Sequence, residues 1–179
     1  MNTKIIIATH KLYDMPQDDI YLPVHVGREG KEPLPYQPDN TGDNISDKNA
    51  SYCELTGLYW AWKNLDCDYL GLAHYRRHFS VKSKSFQKSH TPMECVLSSE
   101  ELAQLVPKYK IIVPKRRNYY IESLYSHYAH THYAEHLDIT REIISEKYPE
   151  YLESFDKVMK QTGGYMFNMY IMEKSLSDA

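Results

Sequence analysis

Four residues with hydrogen-bonding or charged side chains directly follow a short apolar run near the middle of the chain. The apolar run is Tyr69–Ala73, and His74, Tyr75, Arg76 and Arg77 come after it. In an open α/β sheet, ligands bind in the crevice beyond the carboxyl ends of the strands. Guanidinium groups bind phosphate through paired hydrogen bonds. The pattern therefore predicts a central strand that ends at a pocket for a phosphorylated ligand; a solvated basic turn is the alternative.

Two further apolar runs also end in polar or cationic residues. Lys4–Thr9 is rich in β-branched residues, and Tyr109–Val113 is a similar run later in the chain. The side chains at these two ends include Thr9, His10, Lys11, Lys115 and Arg116. Three strands with the same kind of ending favour the phosphate-pocket hypothesis, although strand ends are generally polar.

The segments between and after these runs predict the remaining elements. Ile20–Val26 alternates but contains Pro23, which removes a donor from a sheet ladder and predicts an edge strand or an extended loop. Apolar residues at helical spacing predict a helix over about 49–64, capped by Ser46 or Asp47. Strand, helix and strand in succession predict an α/β fold with mostly parallel strands. Further elements are predicted as a surface loop over 80–98, helices beginning at Ser98, Asp138 and Pro149, and a last strand over Tyr165–Met172.

Composition excludes several classes of protein. The chain has 179 residues, a net charge of −3 and a pI of about 6.3, which argues against a general nucleic-acid binder. Three cysteines without a C-x-x-C pair argue against a disulfide framework or a structural zinc site, and favour a reducing compartment. No apolar run approaches the roughly 20 residues of a membrane span. We therefore expect one cytoplasmic domain over residues 1–179.

Known catalytic motifs are mostly absent from the sequence. There is no P-loop, no G-x-G-x-x-G after the first strand and no G-x-S-x-G elbow. The letters of a D-x-D metal–diphosphate site occur only at Asp66 and Asp68, before their strand and thus at the wrong end of the sheet. Arg76 and Arg77 are candidates to supply the positive charge that a metal would otherwise give to a diphosphate.

A histidine-rich stretch offers an alternative chemistry. His132–His136 fits H-x-x-E-H, which on a helix would place two imidazoles on one zinc ion with Glu135 as base. The motif is short, and it also needs a distal third ligand. Histidines that line a polar pocket or lie in solvent are the competing interpretation, and a zinc-dependent hydrolase is kept as a minor alternative.

Seven segments together resemble one bacterial family. They are IIIATHK, LPVHVG, DNTGDNIS, YCELTGLYWAWKN, YLGLAHYRRHF, YKIIVPKRRNYY and YSHYAHTHYAEHL. They are similar to the capsular or exopolysaccharide glycosyltransferase family catalogued as domain of unknown function 4422. The resemblance spans nearly all of residues 4–172. It implies a Rossmann-like, GT-A-type α/β domain with a mostly parallel central sheet flanked by helices.

The resemblance also implies where a nucleotide-sugar donor would bind. Residues expected at the donor and its diphosphate are Thr9, His10, Lys11, Asp43, Asn44, Asn49, His74, Tyr75, Arg76 and Arg77. Lys115 and Arg116 are expected to contact the acceptor or a phosphate. Because no D-x-D occupies the usual place, no metal ligand is assigned, and a requirement for manganese or magnesium is left open.

The implied activity is transfer of a hexose from a nucleotide-sugar, expected to be UDP-linked, to a capsular, exopolysaccharide or O-antigen glycan. Candidates for the general base are His127, His130, His132 and Asp138. The expected partners are the donor and a glycan or lipid-linked acceptor, with peripheral contact at the inner membrane face. Relatives in this family run on beyond the position of residue 179, so we expect a chain truncated at its C-terminus. A non-catalytic fragment that binds sugar nucleotides is therefore the main alternative.

Overall fold

A computed structural model describes residues 1–178 and divides them into two compact units. Unit 1 comprises Met1–Val113 and the segment from Asn168 onward, and unit 2 comprises Pro114–Phe167. The strands are β1 (Thr3–Thr9), β2 (Tyr21–His25), β3 (Gln37–Pro38), β4 (Tyr69–His74), β5 (Ile111–Ile112), β6 (Arg117–Asn118), β7 (Gly163–Gly164) and β8 (Tyr170–Glu173).

Short helices connect these strands. The α-helices are α1 (Asn49–Tyr52), α2 (Leu55–Asn64), α3 (Lys84–Ser89), α4 (Ser99–Ala103), α5 (Leu124–Thr131), α6 (Glu135–Lys147), α7 (Leu152–Met159) and α8 (Lys174–Ser177). Three 3-10 turns cover Ser46–Lys48, Met93–Cys95 and Pro149–Tyr151. Among residues 1–178, no helix has both the length and the apolar character that a membrane span requires.

The core of unit 1 is a six-stranded sheet in the order β3-β2-β1-β4-β8-β5. The first four strands are parallel to one another, and β8 is antiparallel to both of its neighbours. The predicted α/β fold with a mostly parallel sheet is therefore confirmed. Strands β1 and β4 are neighbours in the sheet and parallel, and helix α2 lies on the connection that leads to β4.

Both faces of this sheet are covered, which explains the unbroken apolar runs of β1 and β4. Ile6 and Leu70 pack with Trp60 of α2 on one face. On the other face, Ile5 packs with Leu102 of α4. A strand that is buried on both faces cannot alternate apolar and polar residues, so it appears in the sequence as a continuous apolar run.

A buried carboxylate joins the loops at one edge of the sheet. Asp39 is fully buried and follows β3. Its Oδ2 accepts hydrogen bonds from the Gly27 amide and the Thr56 hydroxyl, each at 2.7 Å. Its Oδ1 accepts from the Arg28 amide at 3.0 Å and the Ser46 hydroxyl at 2.5 Å. The carboxylate therefore links the end of β2, the end of β3, the Ser46 turn and helix α2.

Several local predictions differ from the structure for identifiable reasons. The predicted helix over 49–64 is broken between α1 and α2, where Cys53 has a φ of +49°. Neither Ser46 nor Asp47 caps that helix: both lie in the preceding 3-10 turn, Lys48 holds the N-cap position of α1, and the Ser46 hydroxyl donates to Asp39. Pro23 lies within β2, but β3 pairs only with Val24 and the residue after it, so the sheet is open beside the proline.

Other predictions are confirmed or shortened. Helix α4 begins at Ser99, one residue after the predicted start, and Ser98 is its N-cap in a capping box in which Ser98 and Glu101 each accept from the other's backbone amide. The predicted surface loop over 80–98 contains the short helix α3. The predicted last strand over Tyr165–Met172 was wrong in its first half, because β8 begins only at Tyr170.

Unit 2 is a small helical layer beside a two-stranded ladder. Helices α6 and α7 are joined by a paired ionic contact, in which Arg141 donates to both carboxylate oxygens of Asp156 at 2.7 and 2.8 Å. Leu124, at the start of α5, is buried. Strands β6 and β7 pair antiparallel, with Arg117 opposite Gly164.

We expect Asp39→Ala to destabilise unit 1 strongly, because it leaves two amides and two hydroxyls without their buried acceptor. Urea denaturation followed by circular dichroism should show a loss of about 3 kcal/mol or more. Asp39→Asn, which keeps the volume but replaces an acceptor oxygen with a donor, should also destabilise. Asp43→Ala is the matched control, since that exposed carboxylate accepts only from the Tyr59 hydroxyl at 3.0 Å among its side-chain contacts. Equal effects of Asp39→Ala and Asp43→Ala would contradict this account.

We expect unit 1 to lose stability as the pH falls below about 6.5, because His78 has a lowered pKa. Burial causes this shift, and neither ring nitrogen of His78 has a hydrogen-bond partner within residues 1–178. The unfolded chain then binds a proton near pH 6.5 while the folded chain does not, so the free energy of unfolding falls by up to about 1.4 kcal/mol per pH unit. Burial also lowers the pKa of His25, which acts in the same direction.

Urea denaturation at several pH values tests this expectation. The variant His78→Leu should reduce the slope between about pH 6.5 and the lower pKa of the folded state. His90→Gln, at an exposed position, serves as the control. A slope that is unchanged in His78→Leu would refute the assignment.

Candidate functional site

The carboxyl ends of the parallel strands meet at one edge of the sheet in unit 1. In the register of the sheet, Thr9 lies opposite His25, and Ala8 lies opposite His74. The Tyr75 amide also donates to the Ala8 carbonyl at 3.4 Å. The residues that follow β1 and β4 are therefore brought together, as the sequence predicts.

A buried tyrosine ring organises this edge. The Tyr75 ring makes edge contacts with His10 and Tyr13, at centroid distances of 5.5 and 5.2 Å. Lys11 Nζ lies 5.2 Å from the ring centroid of Tyr75, and Arg76 Cζ lies 5.1 Å from it. We call these five residues the Tyr75 cluster. Apart from the tyrosine at its centre, the members are exposed.

The charges of the Tyr75 cluster are not neutralised by carboxylates. Neither Lys11 nor Arg76 forms an ion pair with an acidic side chain within residues 1–178. Cations that contact an aromatic face are stabilised by the ring quadrupole and keep their full charge. Two such cations at the carboxyl edge of a parallel sheet form an environment suited to a phosphate or diphosphate group.

Backbone geometry holds the two loops that carry the cluster. The Thr9 side chain is fully buried, and its hydroxyl donates to the Lys11 carbonyl at 2.7 Å. After β4, the His74 and Arg77 backbones bond to each other in both directions, at 2.9 and 3.2 Å. This tight turn places Tyr75 in the core and Arg76 at the surface.

His74 is connected to two residues of unit 1 that are distant in sequence. Its Nε2 lies 3.1 Å from Asn168 Oδ1, and Asn168 Nδ2 donates to Glu54 Oε1 at 2.7 Å. An amide oxygen is only an acceptor, so His74 Nε2 carries the proton in this contact. His74 thus fixes the start of β8 against the residue before α2. Sequence reasoning missed Asn168, because nothing near it in the chain marks it as polar at the sheet edge.

Three predicted donor-site residues have structural partners instead. The Asp43 carboxylate accepts from the Tyr59 hydroxyl, which raises the pKa of Tyr59. The Asn44 side chain donates to the Gly42 carbonyl at 3.0 Å. Asn49 Nδ2 donates to the Cys53 carbonyl at 2.7 Å. These bonds stabilise the loop before α2, and a donor-binding role for Asp43, Asn44 and Asn49 stays a prediction.

In unit 2, one carboxylate holds two of the candidate bases. Glu122 Oε2 lies 3.1 Å from His127 Nδ1, and Glu122 Oε1 lies 2.7 Å from His130 Nδ1. Both hydrogen bonds lower the pKa of Glu122, and the bond from His127 has the larger effect. A carboxylate accepts only, so Nδ1 of each imidazole bears a proton and Nε2 is the atom left to accept one. The ring of Tyr119 stacks on His127 at 3.8 Å.

The other two candidate bases have different surroundings. His132 lies just after α5 and stacks on Tyr128, with ring centroids 4.6 Å apart. Asp138 accepts from the Tyr125 hydroxyl at 3.0 Å. Sequence reasoning missed Glu122, although its position shortly before α5 puts it within one or two helical turns of both histidines that it holds.

The H-x-x-E-H pattern does not form the helical pair that a zinc hydrolase needs. His132 follows α5 in extended conformation, whereas His136 lies in α6. His136 Nδ1 is 3.1 Å from the Tyr128 hydroxyl. No group of three potential metal-ligating side chains occurs anywhere in residues 1–178.

The two predicted acceptor-site cations lie in unit 2 and differ in their contacts. Arg116 is bound to the protein itself, since its guanidinium donates to Gln161 Oε1 at 3.3 Å and to the Gly163 carbonyl at 2.9 Å. Lys115 is exposed. A role of either residue toward an acceptor stays a prediction.

Comparison with known proteins adds two findings. The profile of the family described as "Domain of unknown function (DUF4422)" matches residues 4–179. A solved apo structure of the bifunctional glycosyltransferase WbbM is 30% identical, with a TM-score of 0.82 over 98% of this chain and 34% of that one. This chain therefore spans about a third of the length of that protein, and no curated protein matches it. Membership of the family catalogued under that number, which the sequence motifs predicted, is confirmed: the chain belongs to the DUF4422 family.

Proposed function

We propose that the chain is a glycosyltransferase domain that moves a hexose from a nucleotide-sugar to a glycan. The observation that carries the proposal is the Tyr75 cluster, where Lys11 and Arg76 contact one buried ring at the carboxyl edge of a parallel sheet. The similarity in fold to a solved glycosyltransferase supports it. We further propose a UDP-linked donor and a capsular, exopolysaccharide or O-antigen acceptor, in keeping with the family resemblance.

The part of the reaction that most needs stabilisation is the departure of the nucleoside diphosphate. As the acceptor oxygen bonds to the anomeric carbon, the bond from that carbon to the diphosphate oxygen breaks, and the nucleoside diphosphate takes the electron pair. Lys11 and Arg76 stabilise the negative charge that develops there, which is the largest single contribution in many enzymes. Arg77, in the same turn, is a further candidate for this role. The acceptor proton passes to a general base.

Among the candidate bases, His127 and His130 are better suited than the other two. Glu122 orients both rings and would stabilise the imidazolium that forms when Nε2 takes the proton. Asp138 already accepts from a tyrosine hydroxyl, which weakens it as a base. Within residues 1–178 no carboxylate orients His132, whose Nδ1 lies 2.9 Å from the Thr131 hydroxyl.

The side chains of the Tyr75 cluster do not suit the coordination of a divalent cation. Magnesium and manganese prefer carboxylate and carbonyl oxygens, whereas this cluster offers an ammonium, a guanidinium and an imidazole. Asp68 is the second aspartate of the D-x-D pattern. Its carboxylate accepts from the backbone amide of Asn2 at 2.7 Å, beside the start of β4. We therefore propose that side-chain cations supply the positive charge that a metal would otherwise give to the diphosphate.

The alternative is a domain that binds sugar nucleotides without turning them over. It is favoured by one observation, that the chain spans about a third of the solved neighbour. Donor binding without release of free nucleotide would distinguish this alternative. A cytoplasmic location, which suits a nucleotide-sugar donor, remains part of the proposal.

We expect Arg76→Ala and Lys11→Ala each to weaken UDP binding about ten-fold or more, because each removes a charged partner of the diphosphate. Titration calorimetry or a thermal-shift series with UDP measures the effect. Lys108→Ala, at an exposed position outside the cluster, is the matched control and should leave the affinity unchanged. Unchanged affinity in both cluster variants would refute the assignment of the diphosphate site.

We expect turnover to continue in the presence of a chelator, because protein cations and not a metal neutralise the leaving group. The measurement is UDP release from UDP-hexoses with an acceptor glycan, with and without EDTA. Activity that disappears with EDTA and returns on addition of manganese would contradict the role given to Lys11 and Arg76.

A further inference from the structure

A turn in unit 2 displays two large apolar side chains to solvent. Tyr120 is 80% exposed and Ile121 is 94% exposed, the latter more than any other large hydrophobic residue that the structure describes. Tyr120 has a φ of +63°, a left-handed conformation that is uncommon for an aromatic residue. Water contact with an isoleucine over nearly its whole surface is unfavourable, and here a large aromatic ring is exposed beside it.

The turn is held firmly from both sides and is not a loose end. Before it, β6 pairs with β7, and the Tyr119 amide donates to the Thr162 carbonyl at 2.7 Å. After it, the Leu124 amide donates to the Gln161 carbonyl at 2.8 Å. The Ile121 amide bonds to the Tyr119 carbonyl at 2.7 Å within the turn itself. The two apolar side chains are therefore fixed outward by the backbone.

Cations accompany the apolar pair. Lys115 and Arg117 are exposed, and no acidic residue occurs between Ile111 and Ile121. The Arg117 guanidinium lies over the Phe167 ring at 5.6 Å, which leaves its charge intact. The first acidic residue after the turn is Glu122, whose carboxylate is bonded to two imidazoles. The segment 115–121 thus combines uncompensated positive charge with an exposed apolar tip.

We propose that the segment 115–121 binds the surface of an anionic lipid bilayer. Ile121 and Tyr120 enter the interfacial region, where tyrosine is favoured, while Lys115 and Arg117 contact the lipid phosphates. An acidic protein surface would also pair with these cations, but it would give no sedimentation with anionic vesicles, so the test below distinguishes it. The proposal concerns unit 2 alone and does not depend on transferase activity.

Sedimentation with vesicles tests the proposal on the whole chain. Vesicles of phosphatidylcholine alone are compared with vesicles in which about a third of the lipid is phosphatidylglycerol, the anionic lipid that attracts basic residues. We expect binding to the anionic vesicles only, weakened by added salt. Ile121→Ser should reduce the partition coefficient about ten-fold, through loss of apolar burial. Lys115→Gln combined with Arg117→Gln should reduce it about twenty-fold, through loss of two charges near the surface.

Matched variants exclude a general surface effect. Ile139→Ser removes an exposed isoleucine from α6, and Lys147→Gln removes an exposed lysine from the same helix. Both should bind vesicles like the unchanged protein. Equal sedimentation with neutral and anionic vesicles, no sedimentation with either, or equal losses in the control variants would each overturn the proposal. UDP binding, measured in parallel, should be the same in Ile121→Ser, Ile139→Ser and Lys147→Gln as in the unchanged protein.

Discussion

The parallel pairing of β1 with β4 is the constraint on which the candidate site depends. The register sets Ala8 opposite His74, so that the loop beginning at His10 and the turn containing Tyr75 leave the sheet side by side. Both strands are buried on both faces, and side chains alternate between faces, so a slip of one residue would exchange the two apolar clusters. It would also separate Lys11 from the ring of Tyr75. The packing of the core and the positions of the cationic side chains are therefore fixed by the same pairing.

Asp39 extends this control to β2 and β3 at the same carboxyl edge of the sheet. Its carboxylate takes the place of a water shell for the amides that follow β2 and for the hydroxyls of Ser46 and Thr56. Burial of a charge is costly unless its oxygens are fully bonded, which is the case here. Strand β3 has only two residues, whereas α2 also packs through Trp60 and Ala61, so the Asp39 hydrogen bonds add a polar tie between a short strand and a helix that is already packed on the sheet.

The sequence was informative where structure is local or strongly apolar. The strands β1 and β4, the capping box at Ser98 and the cationic strand ends were all predictable, because each is encoded by neighbouring residues. Asp39, Glu122 and Asn168 were not recognised, since their importance comes from partners that folding brings close. The helix break at Cys53 and the late start of β8 were missed for a similar reason: tertiary contacts outweigh the local apolar pattern.

The way in which the Tyr75 cluster holds its cations bears on how it would treat a ligand. A lysine or arginine paired with a carboxylate is already neutralised, and an incoming phosphate must compete with that partner. An aromatic ring attracts a cation weakly and does not cancel its charge. Lys11 and Arg76 are thus oriented by the ring without being neutralised by it. A diphosphate bound there, as proposed, would interact more strongly with these charges as its bond to the sugar breaks and negative charge accumulates. An arrangement of this kind favours the departing nucleotide over the intact donor, which is the preference that catalysis requires.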